Sequence, residues 1–256
     1  MILNFRSYGS GKPLVILHGL FGSSDNWQTF AKSIADHFQV FALDIRNHGQ
    51  SGHSPEFNYD LIARDIWETL ESLQISTCNL LGHSMGGKAA AIFALKFPVR
   101  VEKLIVIDIA MTSYPPHHQV YFDALLAINL IGMQTRNETD DALKKYIGDQ
   151  TIRRFLLKNL MRDNAGNFKW RFNLEALYQH YEEINIEVIS SVPFTKPCLF
   201  VKGSLSNYIK ESDEAKIKEL FPEARIVTIE GAGHWVHADK PLELKEIFLE
   251  FMPEIL

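Results

Sequence analysis

Six short aliphatic runs separated by amphipathic stretches constrain this chain more than any other feature. They are LVILHG (14–19), VFALDI (40–45), CNLLGH (78–83), LIVIDIA (104–110), CLFVKG (198–203) and RIVTIEG (225–231). Apolar runs of this length, without alternation, read as strands buried on both faces. Between them, apolar residues recur at helical spacing, as in Tyr59, Ile62, Ile66, Leu70 and Leu73. Further helices are expected near Trp27, Gly86, Glu211 and Leu242, the last just after Pro241. Such alternation predicts an α/β fold: a mostly parallel sheet with right-handed crossovers and helices on both faces. The opening ILNFRSY alternates in character and reads as an antiparallel edge strand.

The rhythm breaks once. From Met111 to about Pro197 no strand run occurs, and helical patterns near 117–133, 138–162 and 173–184 carry many large apolar and aromatic residues. The stretch RDNAGNFKW reads as a turn between the last two. Because strand runs resume afterwards, residues 111–197 are expected to form a helical cap inserted in one domain spanning 1–256 rather than a second independent domain.

With 256 residues, 46% of them hydrophobic, the chain is long enough for a sizeable core. The net charge of -5 is spread over interspersed charges, so neither nucleic acid nor a membrane surface is an expected partner. Cys78 and Cys198 sit in apolar runs as core residues. The segment MILNFRSYGSGKP lacks the basic and apolar regions of a signal peptide, so the expected compartment is the cytoplasm.

Gly82-His83-Ser84-Met85-Gly86 is a G-x-S-x-G motif. Alone it is weak, but here it follows a buried strand and opens a helix, the setting of a nucleophile elbow. The sharp turn demands small neighbours, which Gly82, Gly86 and Gly87 supply. A serine hydroxyl needs a base. His234, in GAGHWVHADKP after the last strand run, stands on the carboxyl rim that also carries Ser84. His237 is the alternative, and His48 is expected to brace its own loop.

The orienting acid should fall between Ser84 and His234. The customary loop, after CLFVKG, has Ser206 and no carboxylate before Glu211. Asp108 ends the strand that follows the elbow strand, where a buried carboxylate is costly unless paired. Its expected partner is His234; capping of local backbone is the alternative. An oxyanion hole would draw on the Met85 N–H and on Leu20 or Phe21, with Leu20 the first choice.

HGLFGSSDNW, DIRNHGQS, GHSMGG and GAGHWVHADKP together resemble the α/β-hydrolase superfamily over essentially the whole chain. GHSMGGK with IDIA and GSLSNYI is similar to the small bacterial serine esterases of the YbfF type, in which the acid stands after the elbow-following strand. The departure from the commoner superfamily layout is Ser206 where an aspartate usually stands.

The resemblance implies hydrolysis of a small-molecule carboxylic ester or thioester, without cofactor or metal. Phe21, Phe122, Phe155, Trp170 and Tyr178 are candidates for the substrate pocket and equally for cap core. The rival readings are an acyl-CoA thioesterase, a C–C bond hydrolase or lyase using the same triad, and a non-catalytic binding module on the same fold.

Overall fold

A computed structural model describes residues 1–253. The chain runs β1 (Phe5–Tyr8), β2 (Lys12–Leu17), α1 (Gln28–Ser33), β3 (Phe38–Leu43), α2 (Tyr59–Ser72), β4 (Cys78–His83), α3 (Met85–Lys96) and β5 (Val101–Ile107). An excursion follows, comprising α4 (Gln119–Ala127), α5 (Arg136–Lys144), α6 (Gln150–Leu157), β6 (Leu160–Arg162), β7 (Phe168–Trp170), α7 (Leu174–Gln179) and α8 (Tyr181–Ile184). The alternation then resumes with β8 (Cys198–Gly203), α9 (Glu214–Leu220), β9 (Ala224–Ile229), α10 (Val236–Asp239) and α11 (Pro241–Phe251).

Seven strands form one sheet in the order β1-β3-β2-β4-β5-β8-β9. Only β1 is antiparallel, pairing Phe5 with Leu43 and Tyr8 with Val40 at the edge. Because successive side chains in a strand point to opposite faces, each central strand feeds two cores. In β2, Val15 and Leu17 join α2 and α3 on one face. Leu14 and Ile16 join α1 and α11 on the other, against Phe30, Ile34 and Phe248. Full burial of such a side chain contributes about 1.5–3 kcal/mol before entropy is counted.

The excursion differs from its sequence reading in two ways. The pattern over 138–162 splits into α5 and α6, and RDNAGNFKW is not only a turn: β6 and β7 pair antiparallel, Leu160 opposite Trp170. Three-residue strands are too short to register a period of two. Phe122, Leu125, Leu156, Phe172 and Leu177 extend the α2–α3 core into the excursion.

At its neck the outgoing and returning chains pair, the Tyr114 N–H donating to the Asn185 carbonyl and the Val188 N–H to that of Met111. Lys88, almost fully buried on α3, donates from Nζ to the carbonyls of Thr112 and Ile186, one from each chain. Burial pushes its ammonium down to about 7. Among the described residues no helix is long and apolar enough to cross a membrane.

Candidate active site

Ser84 stands between β4 and α3 with φ 53°, a left-handed conformation that costs a non-glycine residue about 1–3 kcal/mol. The turn is held by its surroundings. A Cβ on Gly82 would lie 2.1 Å from the Gly86 carbonyl oxygen, and one on Gly86 would lie 2.4 Å from that of His18. Only glycine therefore lets α3 approach β4 and β2 this closely. The Ser84 N–H donates to the Ile107 carbonyl at 3.0 Å, pinning the elbow to the end of β5.

His234 occupies the loop between β9 and α10. Its Nε2 is 3.0 Å from Ser84 Oγ, and its Nδ1 is 2.7 Å from Asp108 Oδ2. With a carboxylate facing Nδ1, that nitrogen donates and Nε2 is left to accept from the serine. Asp108 has no solvent exposure and lies one residue past β5 with φ 51°. Its carboxylate also accepts the Gly203 N–H at 3.1 Å and the Ser206 hydroxyl. A buried charge with these donors around it meets the condition on which burial is tolerated. Ser206 thus faces Asp108 directly, across the gap between the ends of β5 and β8.

The remaining histidines on this rim are structural in their contacts. His83 Nε2 is 2.8 Å from the His234 carbonyl. His237 stacks on Trp27, with ring centroids 4.4 Å apart and 21° between planes. His48 Nδ1 is 3.0 Å from the Arg46 carbonyl in its own loop, and its Nε2 accepts the Phe21 N–H at 3.2 Å, so His48 ties its own loop to the one that carries Leu20 and Phe21. Burial pushes His48 and His237 down to about 3, and holds His83 well below the ordinary imidazole range. These three rings are therefore neutral near pH 7.

The Phe21 N–H is committed to His48 and the Gly22 N–H to the Gly19 carbonyl, so of Leu20 and Phe21 it is Leu20 that is not spent in either bond. Phe21 itself has φ 57°, and its carbonyl accepts from Asn159 Nδ2 at 2.6 Å, a direct tie from the excursion. Met85, next to Ser84, opens α3, where the first N–H groups of a helix have no partner inside it.

A cavity of about 240 Å³ opens over Ser84 and His234, walled largely by Leu20, Phe21, Tyr121, Ile152, Phe155, Leu156 and Trp235. Phe21 and Phe155 of the expected pocket residues line it. Phe122, Trp170 and Tyr178 do not. Phe122 is fully buried and packs on Phe21 and Tyr181, Trp170 stacks on Phe172, and Tyr178 is exposed. Aromatic content alone could not separate wall from packing.

Sequence reasoning missed His117, His118 and Tyr208, which also line the cavity. Tyr208 carried a signal, as an aromatic two residues beyond Ser206. Among the described residues no group of three or more His, Cys, Asp or Glu could hold a metal ion.

The family model for the alpha/beta hydrolase fold matches residues 12–241. The sn-1-specific diacylglycerol lipase ABHD11 of Danio rerio is 40% identical over 256 residues, 97% of this chain and 80% of that protein. Esterase YbfF of Escherichia coli (strain K12) is 36% identical over 248 residues, 94% of this chain and 95% of that protein. A solved marine microorganism esterase superposes with a TM-score of 0.96 at 41% identity, covering 98% of this chain and 99% of that one. On the extent of these matches, the chain belongs to the α/β-hydrolase family.

Proposed function

We propose that the protein is a serine carboxylesterase acting on acyl esters through Ser84, His234 and Asp108 and an acyl-enzyme intermediate. The observation that carries this reading is the unbroken line from Ser84 Oγ to His234 Nε2, at 3.0 Å, and from Nδ1 to Asp108, at 2.7 Å. His234 takes the serine proton as Oγ attacks the ester carbonyl. The N–H groups of Leu20 and Met85 receive the developing oxyanion. The imidazolium, balanced by Asp108, then protonates the leaving alcohol, and water attacking the acyl-enzyme reverses the same transfers.

In this reading residues 111–197 form a cap on a single domain. It contributes Tyr121, Ile152, Phe155 and Leu156 to an apolar wall suited to an acyl chain. The esterase names of the relatives agree with an ester as substrate.

An acyl-CoA thioesterase would want free cations at the cavity mouth. Two cap arginines are spent elsewhere. Arg153 pairs with Asp140 and the carbonyls of Ile147 and Gly148, and Arg162 binds those of Gly166 and Gln134. Arg154 and Lys158, two other cap cations, are exposed, so the preference for esters rests on the esterase names of the relatives and is decided by the panel below.

The test is a panel of p-nitrophenyl acyl esters and acyl-CoAs, with wild type and Ser84→Ala, alongside fluorophosphonate labelling. Esters should be the better substrates, and Ser84→Ala should lose labelling and nearly all turnover. Wild-type ester hydrolysis by Ser84→Ala would sink the assignment.

A further inference from the structure

We propose that Tyr208 is a positioning residue for His234, its ring face fixing the plane of the imidazole and favouring its charged form. The two rings lie 3.9 Å apart between centroids with 20° between planes. Asp108 fixes only one edge of the imidazole, through Nδ1. A ring held at one edge can still turn about that bond, which would swing Nε2 away from Ser84. A flat face stacked against it removes that freedom. The negative π face also attracts the imidazolium formed when Ser84 gives up its proton.

Tyr208 is itself fixed from three sides. Its N–H donates to Ser206 Oγ at 3.3 Å, and its carbonyl accepts from the Tyr114 hydroxyl. Its own hydroxyl is 3.4 Å from His118 Nε2. Ser206 in turn donates to Asp108, so one short loop after β8 fixes both the acid and the stacking face. A tyrosine serving only as cavity wall would not need its backbone tied at both ends.

Four other segments place titratable groups around His234. Asp108 comes from the end of β5, His83 from β4 with ring centroids 4.7 Å away, His237 from α10, and His117 and His118 from the segment before α4. Burial pushes His118 down to about 4 and His237 to about 3, so both are neutral near pH 7.

The inference rests on the triad reading above. The experiment compares Tyr208→Leu and Tyr208→Phe by the pH profile of kcat/KM on p-nitrophenyl acetate, a substrate with a short acyl group. Competent enzyme is counted by fluorophosphonate labelling. Tyr208→Leu should lower kcat about tenfold and move the acid limb about half a unit to one unit toward lower pH, because the charged ring loses its partner. Tyr208→Phe, which keeps the face, should match wild type.

If the leucine variant does not fold, Tyr208→Met replaces it, filling a similar volume without a flat face. An acid limb unmoved in the leucine or methionine variant, or equal damage from phenylalanine, overturns the proposal. Failure of the triad reading shows separately, as an active Ser84→Ala.

Discussion

Asp108→Asn separates a catalytic acid from a structural carboxylate, because the structure predicts an intact fold and a crippled reaction. Position 108 has φ 51°, and asparagine is among the few residues at ease there. The carboxylate accepts three hydrogen bonds, from Gly203 N–H, Ser206 and His234 Nδ1. An amide has one acceptor oxygen.

If that oxygen stays on Gly203, the NH₂ group faces His234 and forces the tautomer with its proton on Nε2, which cannot accept from Ser84. If it turns to His234, the NH₂ opposes the Gly203 N–H, at a cost of about 1–3 kcal/mol. Neither orientation balances an imidazolium. In the serine-protease case the same change costs about 10⁴-fold in kcat, or about 5.4 kcal/mol at 1.36 per decade.

The assay is kcat on a p-nitrophenyl ester, with thermal melting as the control for folding. Turnover within a few-fold of wild type would refute the role. Because Ser206 faces Asp108, Asp108→Asn/Ser206→Asp should recover part of the loss. Ser206→Asp alone should do harm, by setting two carboxylates in contact so that one must take a proton.

Acid should unfold the protein steeply. Burial pushes His48, His118 and His237 down to about 3, 4 and 3 from 6.5, so the unfolded chain binds their protons first. Their stabilisation is complete above pH 6.5 and is lost as pH falls toward about 4 for His118 and about 3 for His48 and His237, at up to about 1.4 kcal/mol per unit for each. Urea midpoints that stay flat from pH 7 to 4.5 would contradict this. Gly86→Ala forces a Cβ to 2.4 Å from a backbone oxygen, so it should cost about 1–3 kcal/mol in urea melts and abolish fluorophosphonate labelling. Asn159→Ala leaves the Phe21 carbonyl unpaired; we expect a loss of about 1–3 kcal/mol and a fall in kcat at nearly unchanged KM, both measurable on one ester.

The sheet was legible because its strands are apolar on both faces and therefore contiguous in sequence. CNLLGH and CLFVKG coincide with β4 and β8, and the edge character of β1 follows from its alternation. Ser84 and His234 were visible as polar residues just past aliphatic runs, and Asp108 as the one carboxylate within LIVIDIA. The cap was legible only in outline. Its aromatics serve packing and cavity alike, which is why Phe122 and Phe155 look the same in sequence and sit in different places. Contacts between distant loops, such as Asn159 with Phe21 or Tyr208 with His234, leave no periodic trace.

The paired neck at Met111 and Val188 has a consequence for how such a protein can vary. The two crossings are already hydrogen-bonded neighbours, clamped by one lysine, so the sheet sees a closed gap whatever hangs beyond it. The entropy of closing a loop there grows only with the logarithm of its length. The exposed parts of the segment between those residues can therefore be lengthened or shortened at little entropic cost, provided that its core residues and Asn159, which holds Phe21, are kept. The cavity wall that this segment supplies, Tyr121, Ile152, Phe155 and Leu156, can thus change while Ser84, Asp108 and His234, all outside it, stay where they are.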